Sequence, residues 1–480
     1  MNFIIYDLTF LVLFAILVGL FLYINKKNIR KEGLLLLYKA RWGMKLIDYV
    51  GGKYKKSLKF LSYISIGLGY VLMAAMIYLF GKIIYIYILM PSVVKAIKIP
   101  PIMPLIPYID KVVPNLGLPP FYFTYWILIL AIVAIPHEFF HGIFMKRYGV
   151  KVKATGFGFF PFFLPIFLAA FVEQDEKSFE KASNFKQMAI LSAGTFANIL
   201  TAIFFFIIMF LFFSAAFVPA GITFDNYAYT GIAVAGISMV NDVSLENPSY
   251  QNVSDLIEED KLNELFVGEE KYFLTKSLIE NQEEGDLLFV YDNAPAIKNG
   301  LKGAIIYIEH GEDNIIVNNL EDLSLFMVDL SPGDAVNITV GLEEGARASY
   351  YNIELEENPV KEGAAWLGIG FVDQTRSGLM GRLYNLMSSF KEPHVNYEPK
   401  YDGFSEFIYN LLWWLVLICV SVALVNMLPV GIFDGGRFFY LTILSLTKSE
   451  SVAKKSFKFV TWLFLFLLAL LMVFWAINFF

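Results

Sequence analysis

Four histidines occur in the 480 residues, and two of them stand four apart with a glutamate after the first: Ile135-Pro136-His137-Glu138-Phe139-Phe140-His141-Gly142. On an α-helix, residues four apart share a face about 6 Å from one another, so both imidazoles can reach a single ion. Glu138 is turned about 100° from His137 and can take a proton from metal-bound water rather than bind the metal. The chemistry this permits is metal-assisted hydrolysis. A catalytic zinc normally has three protein ligands and an open position for water. The single cysteine, Cys419, excludes an intramolecular disulfide and a Cys-rich metal framework, so the third ligand must be a histidine or a carboxylate. His310 and His394 lie in a separate hydrophilic segment and are poor candidates. Asp434, in Asn426-Met-Leu-Pro429-Val-Gly-Ile-Phe-Asp434-Gly435-Gly436-Arg437, is better placed. It reads either as that ligand or as a carboxylate capping the turn beside its glycines.

The elements that position these residues are apolar. The broad hydrophobic set makes up 57% of the chain, charged residues only 17%, and the mean hydropathy is +0.57. That balance excludes a disordered chain, a nucleic-acid binder and an ordinary soluble enzyme. A spanning helix needs about 20 mostly apolar residues, and six runs qualify: Phe3 to Asn25, Phe60 to Phe80 (stopped by Gly81 and Lys82), Phe121 to Met145, Met188 to Phe213, Phe407 to Leu428 and Phe457 to Phe480. The histidine pair falls in the third. Ionisable groups inside a spanning helix are expensive and usually functional, although two core histidines bonded to neighbouring helices are the plainer alternative. A seventh run, Gly156 to Val172, is broken by Pro161 and Pro165 and reads as a re-entrant hairpin that must line a protein cavity.

Lys and Arg in the short loops set orientation. Residues 26–59 carry eleven of them, and Lys146, Arg147, Lys151 and Lys153 follow the third run, while Lys448, Lys454, Lys455 and Lys458 lie between the fifth and sixth. All three loops fall on one side by parity. They are expected to be cytoplasmic, with both termini and residues 220–402 outside. The third and fifth runs then both point inward, so His137 and Asp434 are expected at similar depth. The division expected is an N-terminal membrane region (1–219), an extracytoplasmic domain (220–402) and a C-terminal membrane region (403–480).

Residues 225–402 hold 32 acidic and 11 basic side chains, a net of −21, against +15 for the rest of the chain. The acidity reads as a solvated surface that stays off anionic lipid. Short β-rich runs begin at Gly231, Asp286, Ala304, Ala335 and Tyr351. Residues 241–285, with Asp255-Leu-Ile-Glu-Glu-Asp and Glu264-Leu-Phe-Val, read as a helical insertion. The turns Ala294-Pro-Ala-Ile-Lys-Asn-Gly-Leu and Pro332-Gly-Asp-Ala-Val-Asn-Ile resemble those of PDZ domains in membrane and periplasmic proteases, which implies a groove able to take a peptide by strand addition. A generic β domain serving as a lid or spacer fits equally.

His137-Glu138-x-x-His141 together with Asn426-x-x-Pro429-x-x-x-x-Asp434-Gly435 resembles the site-2 protease family of intramembrane zinc metalloproteases, over about residues 120–215 and 405–445. The resemblance implies a polytopic α-helical membrane protein of about six spans plus a re-entrant hairpin, with a β-rich, PDZ-like soluble insert. It implies one catalytic Zn2+ held by His137, His141 and Asp434, with Glu138 as general base, acting on transmembrane or signal-peptide-like segments. The family's Ala-Gly-Pro-x-x-Asn string stands here as Ala193-Gly194-Thr195-Phe196-Ala197-Asn198, with Thr195 in place of proline. Asn198 and Asn426 are then candidates for hydrogen bonds to substrate backbone or the oxyanion, or for plain interhelical bonding. Expected partners are transmembrane substrates and the lipid bilayer, with a substrate tail at the outer domain. The competing class is a membrane metal transporter or a non-catalytic zinc-binding scaffold, since intramembrane His and Asp also mark ion pathways.

Overall fold

The computed structural model describes residues 3–32, 35–90, 94, 105–112, 118–159, 168–341, 348–372 and 378–479. The chain divides into two units, Met1–Phe212 with Glu406–Phe480, and Phe213–Ser405.

The first unit carries the helices long and apolar enough to cross a membrane, six among the described residues: α1 (Phe3–Ile24), α3 (Lys55–Leu89), α4 (Phe123–Tyr148), α5 (Asn184–Ala216), α6 (Asp402–Asn426) and α8 (Glu450–Phe479). Between them lie α2 (Met44–Lys53) and α7 (Asp434–Thr447). The second helix runs further than expected, straight through Gly81 and Lys82. One glycine costs a helix interior only about 1 kcal/mol, which 35 residues of continuous backbone bonding absorb. The Lys82 ammonium lies over the Tyr85 ring, 5.3 Å from its centroid.

Helix α4 has no side-chain cap of its own at Tyr122. Asp7 of α1, 1% exposed, supplies one across space: its carboxylate accepts from Phe123 N (2.9 Å), Thr124 N (2.8 Å), Thr124 Oγ1 (2.7 Å) and the Tyr108 hydroxyl (2.7 Å). The first amides of a helix lack intrahelical partners and its N-terminal end favours an anion, so this early charge in α1 fixes where α4 begins. Helix α6 is tied to the same end, because Tyr125 donates to the Phe407 carbonyl (2.7 Å) and Trp414 Nε1 to the Pro120 carbonyl (3.2 Å). Hydroxyls bind the bundle further along, with Tyr148 donating to Ser62 (2.7 Å) and Ser192 to Ser65 (3.1 Å).

Segment 26–59 is not a bare loop. Strands β1 (Ile29–Glu32) and β2 (Leu35–Ala40) join β3 (Val152–Phe159) and β4 (Leu168–Gln174) in one antiparallel sheet of order β1-β2-β3-β4. The run expected as a re-entrant hairpin thus supplies two paired strands, while its centre, with Pro161, Phe162 and Pro165, lies outside the described residues. Gly156 of β3 pairs with Lys39 of β2 and Phe171 of β4, and a Cβ there would lie 2.0 Å from the Tyr38 carbonyl oxygen.

The second unit is β-rich. Strand β5 (Phe217–Ile222) pairs with Ala304–His310 and Val395–Pro399 in a sheet completed by Ala335–Gly341, Ser349–Glu354 and Asp313–Ile316. Its core is aliphatic, around Ile222, Ile305, Ile308, Val336, Ile338 and Ile353. A second six-stranded sheet, drawn wholly from residues 229–292, is nested in the chain between β5 and Ala304 and has its own core around Val240, Leu265, Leu274, Leu288 and Val290. The helical insertion expected over 241–285 is therefore corrected. Helix is confined to Tyr250–Asp255 and Lys276–Glu280, and Glu264-Leu-Phe-Val belongs to strand Asn263–Val267 paired with Glu270–Leu274. Asn263 and Leu265 point inward while Glu264 points out, a period of two that a helical count over the charges obscured.

Candidate metal centre and cleft

Helix α4 presents His137 and His141 on one buried face. Pro136 has no amide hydrogen for the Ile132 carbonyl, so the turn just ahead of His137 lacks one backbone bond. Both imidazoles turn Nε2 to a common point, 3.1 Å apart. Asp434 Oδ2 faces the same point, 3.2 Å from His141 Nε2 and 3.5 Å from His137 Nε2. Asp434 opens α7, and close backbone approach aims it there. A Cβ at Gly435 would lie 2.4 Å from the Met427 carbonyl carbon, and one at Gly436 would lie 2.3 Å from the Val430 oxygen. Arg437 holds the same turn from outside, paired with Glu176 (3.3 Å) and stacked over Phe179. No turn amide bonds the Asp434 carboxylate among the described residues, so the oxygen faces the histidines rather than capping its own turn.

The other ring nitrogens are held from α5. His141 Nδ1 lies 2.7 Å from the Ile190 carbonyl, which only an N–H can satisfy, so Nε2 keeps its lone pair for a ligand. His137 Nδ1 lies 3.1 Å from the Asn198 amide. As oriented, that amide leaves its own Oδ1 buried with no hydrogen-bond partner. The two ends of an amide are interchangeable by a half-turn. With the turn made, Oδ1 accepts from His137 Nδ1–H and His137 Nε2 is freed in the same way as that of His141. Asn198 is thus brought to His137, a candidate ligand, and Asn426, half-buried at the end of α6, makes no side-chain hydrogen bond among the described residues. Thr195, in the position of the family's proline, donates to the Ser192 carbonyl (2.9 Å) within an unbroken α5.

Two further features escape a reading of ligand spacing. A Cβ at Gly194 would lie 2.3 Å from His141 Nε2 and 2.5 Å from His137 Nε2, so this residue must be glycine for the space between the rings to stay open. The signal was present in the string Ala193-Gly194, but nothing in it says that the α-carbon faces two imidazoles. The second is β4, whose Val172 amide donates to Glu138 Oε2 (2.9 Å). As the outer strand of its sheet, β4 carries this bond on its open edge. The group Val172 fixes is the carboxylate next to the first histidine.

His137, Glu138, His141 and Asp434 all line one cleft of about 530 Å³, whose other walls include Lys39 and Phe171. The three facing atoms fit a metal ion: they offer two imidazole nitrogens and one carboxylate oxygen within 4.8 Å of one another, a donor set suited to zinc, with a glycine-lined space between them. Residues 125–352 and 370–471 match the model of peptidase family M50. The chain belongs to peptidase family M50. This is the family of site-2 proteases, which are zinc metalloproteases of the membrane, and the six apolar helices of this M50 member agree with a multi-pass protein. A comparison with curated proteins finds no match.

Proposed function

We propose that this M50 member is a zinc endopeptidase that hydrolyses peptide bonds in or beside the transmembrane segments of membrane-bound proteins. The observation that carries the reading is the meeting of His137 Nε2, His141 Nε2 and Asp434 Oδ2 at one point, with the Glu138 carboxylate in the same cleft. Zinc bound there supplies a Lewis acid for the scissile carbonyl and makes water a nucleophile near neutral pH. Glu138 takes the proton from the attacking water and delivers it to the leaving amine nitrogen. Val172 N–H orients that carboxylate through Oε2 and leaves Oε1 for the proton.

A substrate helix hides its amides in its own hydrogen bonds and must be extended before it can be cut. The open edge of β4 offers the pairing partner. Backbone groups alternate along an antiparallel strand, so Ala170 directs its N–H and C=O to the same edge as Val172. Lys and Arg distribution assigns the basic loops to the cytoplasm and both termini with residues 220–402 to the outside. On that side the acidic β unit, with its PDZ-like turns, would receive substrate tails and select those already shortened. Substrates of this class are membrane-anchored regulators or signal-peptide remnants.

The test is purified protein in bilayers with a model transmembrane substrate. Cleavage is expected to stop on chelation and return with zinc, and Glu138→Gln is expected to keep its zinc while losing at least about 10²-fold in rate. Normal cleavage by Glu138→Gln would overturn the mechanism. Phe159→Glu in β3 should lower cleavage more than zinc content. Equal loss of both would mean that the sheet serves folding rather than substrate.

A further inference from the structure

Helix α2 stands beside α4 on the face next to the metal centre, and the two run parallel. A Cβ at Gly43 would strike the Phe139 ring, Ile47 packs against Gly142, and Gly51 abuts Lys146. At the far end Lys146 pairs with Asp48 (2.7 Å) and Arg147 donates to the Lys55 carbonyl (2.8 Å), so Lys53, Lys55, Lys146 and Arg147 gather at one level. That level is the polar boundary of the spans α3 and α4. Phe139 lies eight residues up α4 from Arg147, about 12 Å at 1.5 Å per residue, which places the start of α2 well inside the leaflet.

The outward face there is apolar and aromatic, with Trp42 55%, Leu46 52% and Tyr49 54% exposed. Two cations interrupt it. Arg41 and Lys45 flank Trp42 and Leu46, both exposed, and among the described residues neither forms an ion pair, whereas nearby Lys39 and Lys146 do. Unpaired cations below the headgroup boundary are costly unless an anion is drawn to them. Next to them opens an apolar cleft of about 470 Å³, lined by Trp42, Leu46, Ile135, Pro136, Phe139 and Ile143, which leads from the cations toward the bilayer centre. A cationic mouth over an apolar slot is complementary to one kind of molecule on hand in a bilayer.

We propose that this cleft binds a single anionic phospholipid, its phosphate drawn down to Arg41 and Lys45 and one acyl chain lying against Pro136 and Phe139. The site backs the helix turn that bears His137, and it is a different surface from the metal cleft. A zwitterionic lipid carries its own cation to the same place and fits it less well.

The protein is reconstituted in phosphatidylcholine vesicles containing a tenth of either brominated phosphatidylglycerol or brominated phosphatidylcholine, and tryptophan emission is compared with that of Trp42→Phe, which isolates Trp42 from the other six of the seven tryptophans. Brominated phosphatidylglycerol is expected to quench the Trp42 component at least about threefold more than brominated phosphatidylcholine. Arg41→Gln with Lys45→Gln should abolish that preference, and the charge-conserving pair Arg41→Lys with Lys45→Arg should keep it. Equal quenching by the two lipids in the unaltered protein overturns the proposal, whatever the folding of the variants. So does relief of quenching by a model substrate segment, which would make the cleft a docking place for substrate.

Discussion

Both units bury apolar cores, but they differ in the polar side chains buried with them. In the β-rich unit the cores are almost wholly aliphatic, and Asn263 and Ser405 are its buried polar residues among those described. In the membrane unit the interior holds Asp7, Ser62, Ser65, His137, His141, Gln187, Ser192, Thr195 and Asn198, while Phe204, Leu211 and Phe466 stand about 60% exposed on the outside. Water drives apolar side chains inward in the first case. Lipid exerts no such drive, so helices associate through hydroxyls, amides and close packing, and polar groups collect where they find partners. His137 and His141 belong to that inner polar set, where the Asn198 amide and the Ile190 carbonyl already hold their second ring nitrogens.

The largest effect expected is on the space between the histidine rings. Gly194→Ala puts a methyl group 2.3 Å from His141 Nε2, and buried backbone cannot move aside without shifting α5 against α4. Bound zinc, measured by atomic absorption on purified protein, should fall from about one per chain to near zero, and cleavage should fall with it. Retained zinc in Gly194→Ala would mean the rings can open, and the centre would be looser than the polar interior implies.

The apolar exterior of the membrane unit can be broken next. Phe204, 59% exposed on α5, and Val360, 92% exposed in the β unit, are both exposed apolar residues. Phe204→Asp should destabilise the membrane unit by about 3 kcal/mol, the cost of an acidic group at a lipid-facing helix position. Val360→Asp should fall within about 0.5 kcal/mol of neutral, as surface changes in water do. Unfolding in mixed micelles for the first, and denaturant titration of the full chain followed in the β unit for the second, would check the contrast. Similar costs at both positions would mean that the exposed face of α5 is not a lipid face.

What could be read beforehand follows the same division. The spans were legible because lipid demands an unbroken apolar run, and the helix bearing His137 and His141 because ligand spacing and helical period coincide. Asp434 could be singled out by its glycines and its expected depth. The sheet β1-β2-β3-β4 was not legible in segment 26–59, since a dense set of lysines and arginines reads as a loop whether or not the backbone pairs. The roles of Gly194 and Val172 were hidden for a different reason: one acts through a missing side chain and the other through a backbone amide, and neither has a residue type that announces it. In the β unit, the charges around strand Asn263–Val267 fit several periods at once, helical ones included, and only burial on alternate residues decides between helix and strand.

The smallest effect separates two roles for Asn198. Its amide meets His137 Nδ1 at 3.1 Å, and partners of this kind orient a ligand histidine and raise its basicity. Removing it in Asn198→Ala should weaken zinc binding by about 10–100-fold, roughly 1.4–2.7 kcal/mol. Asn198→Asp keeps an oxygen to accept from Nδ1–H and should hold zinc at least as tightly as the native protein, with cleavage largely retained. An oxyanion donor behaves in the opposite sense, because a carboxylate in its place repels developing negative charge and lowers the rate while zinc stays bound. Titration with a competing chelator, alongside turnover at saturating substrate, measures both quantities on the same samples. Tight zinc with collapsed turnover in Asn198→Asp would move this residue from holding the histidine to holding the substrate, and would make the buried amide part of the cleft rather than of the polar interior behind it.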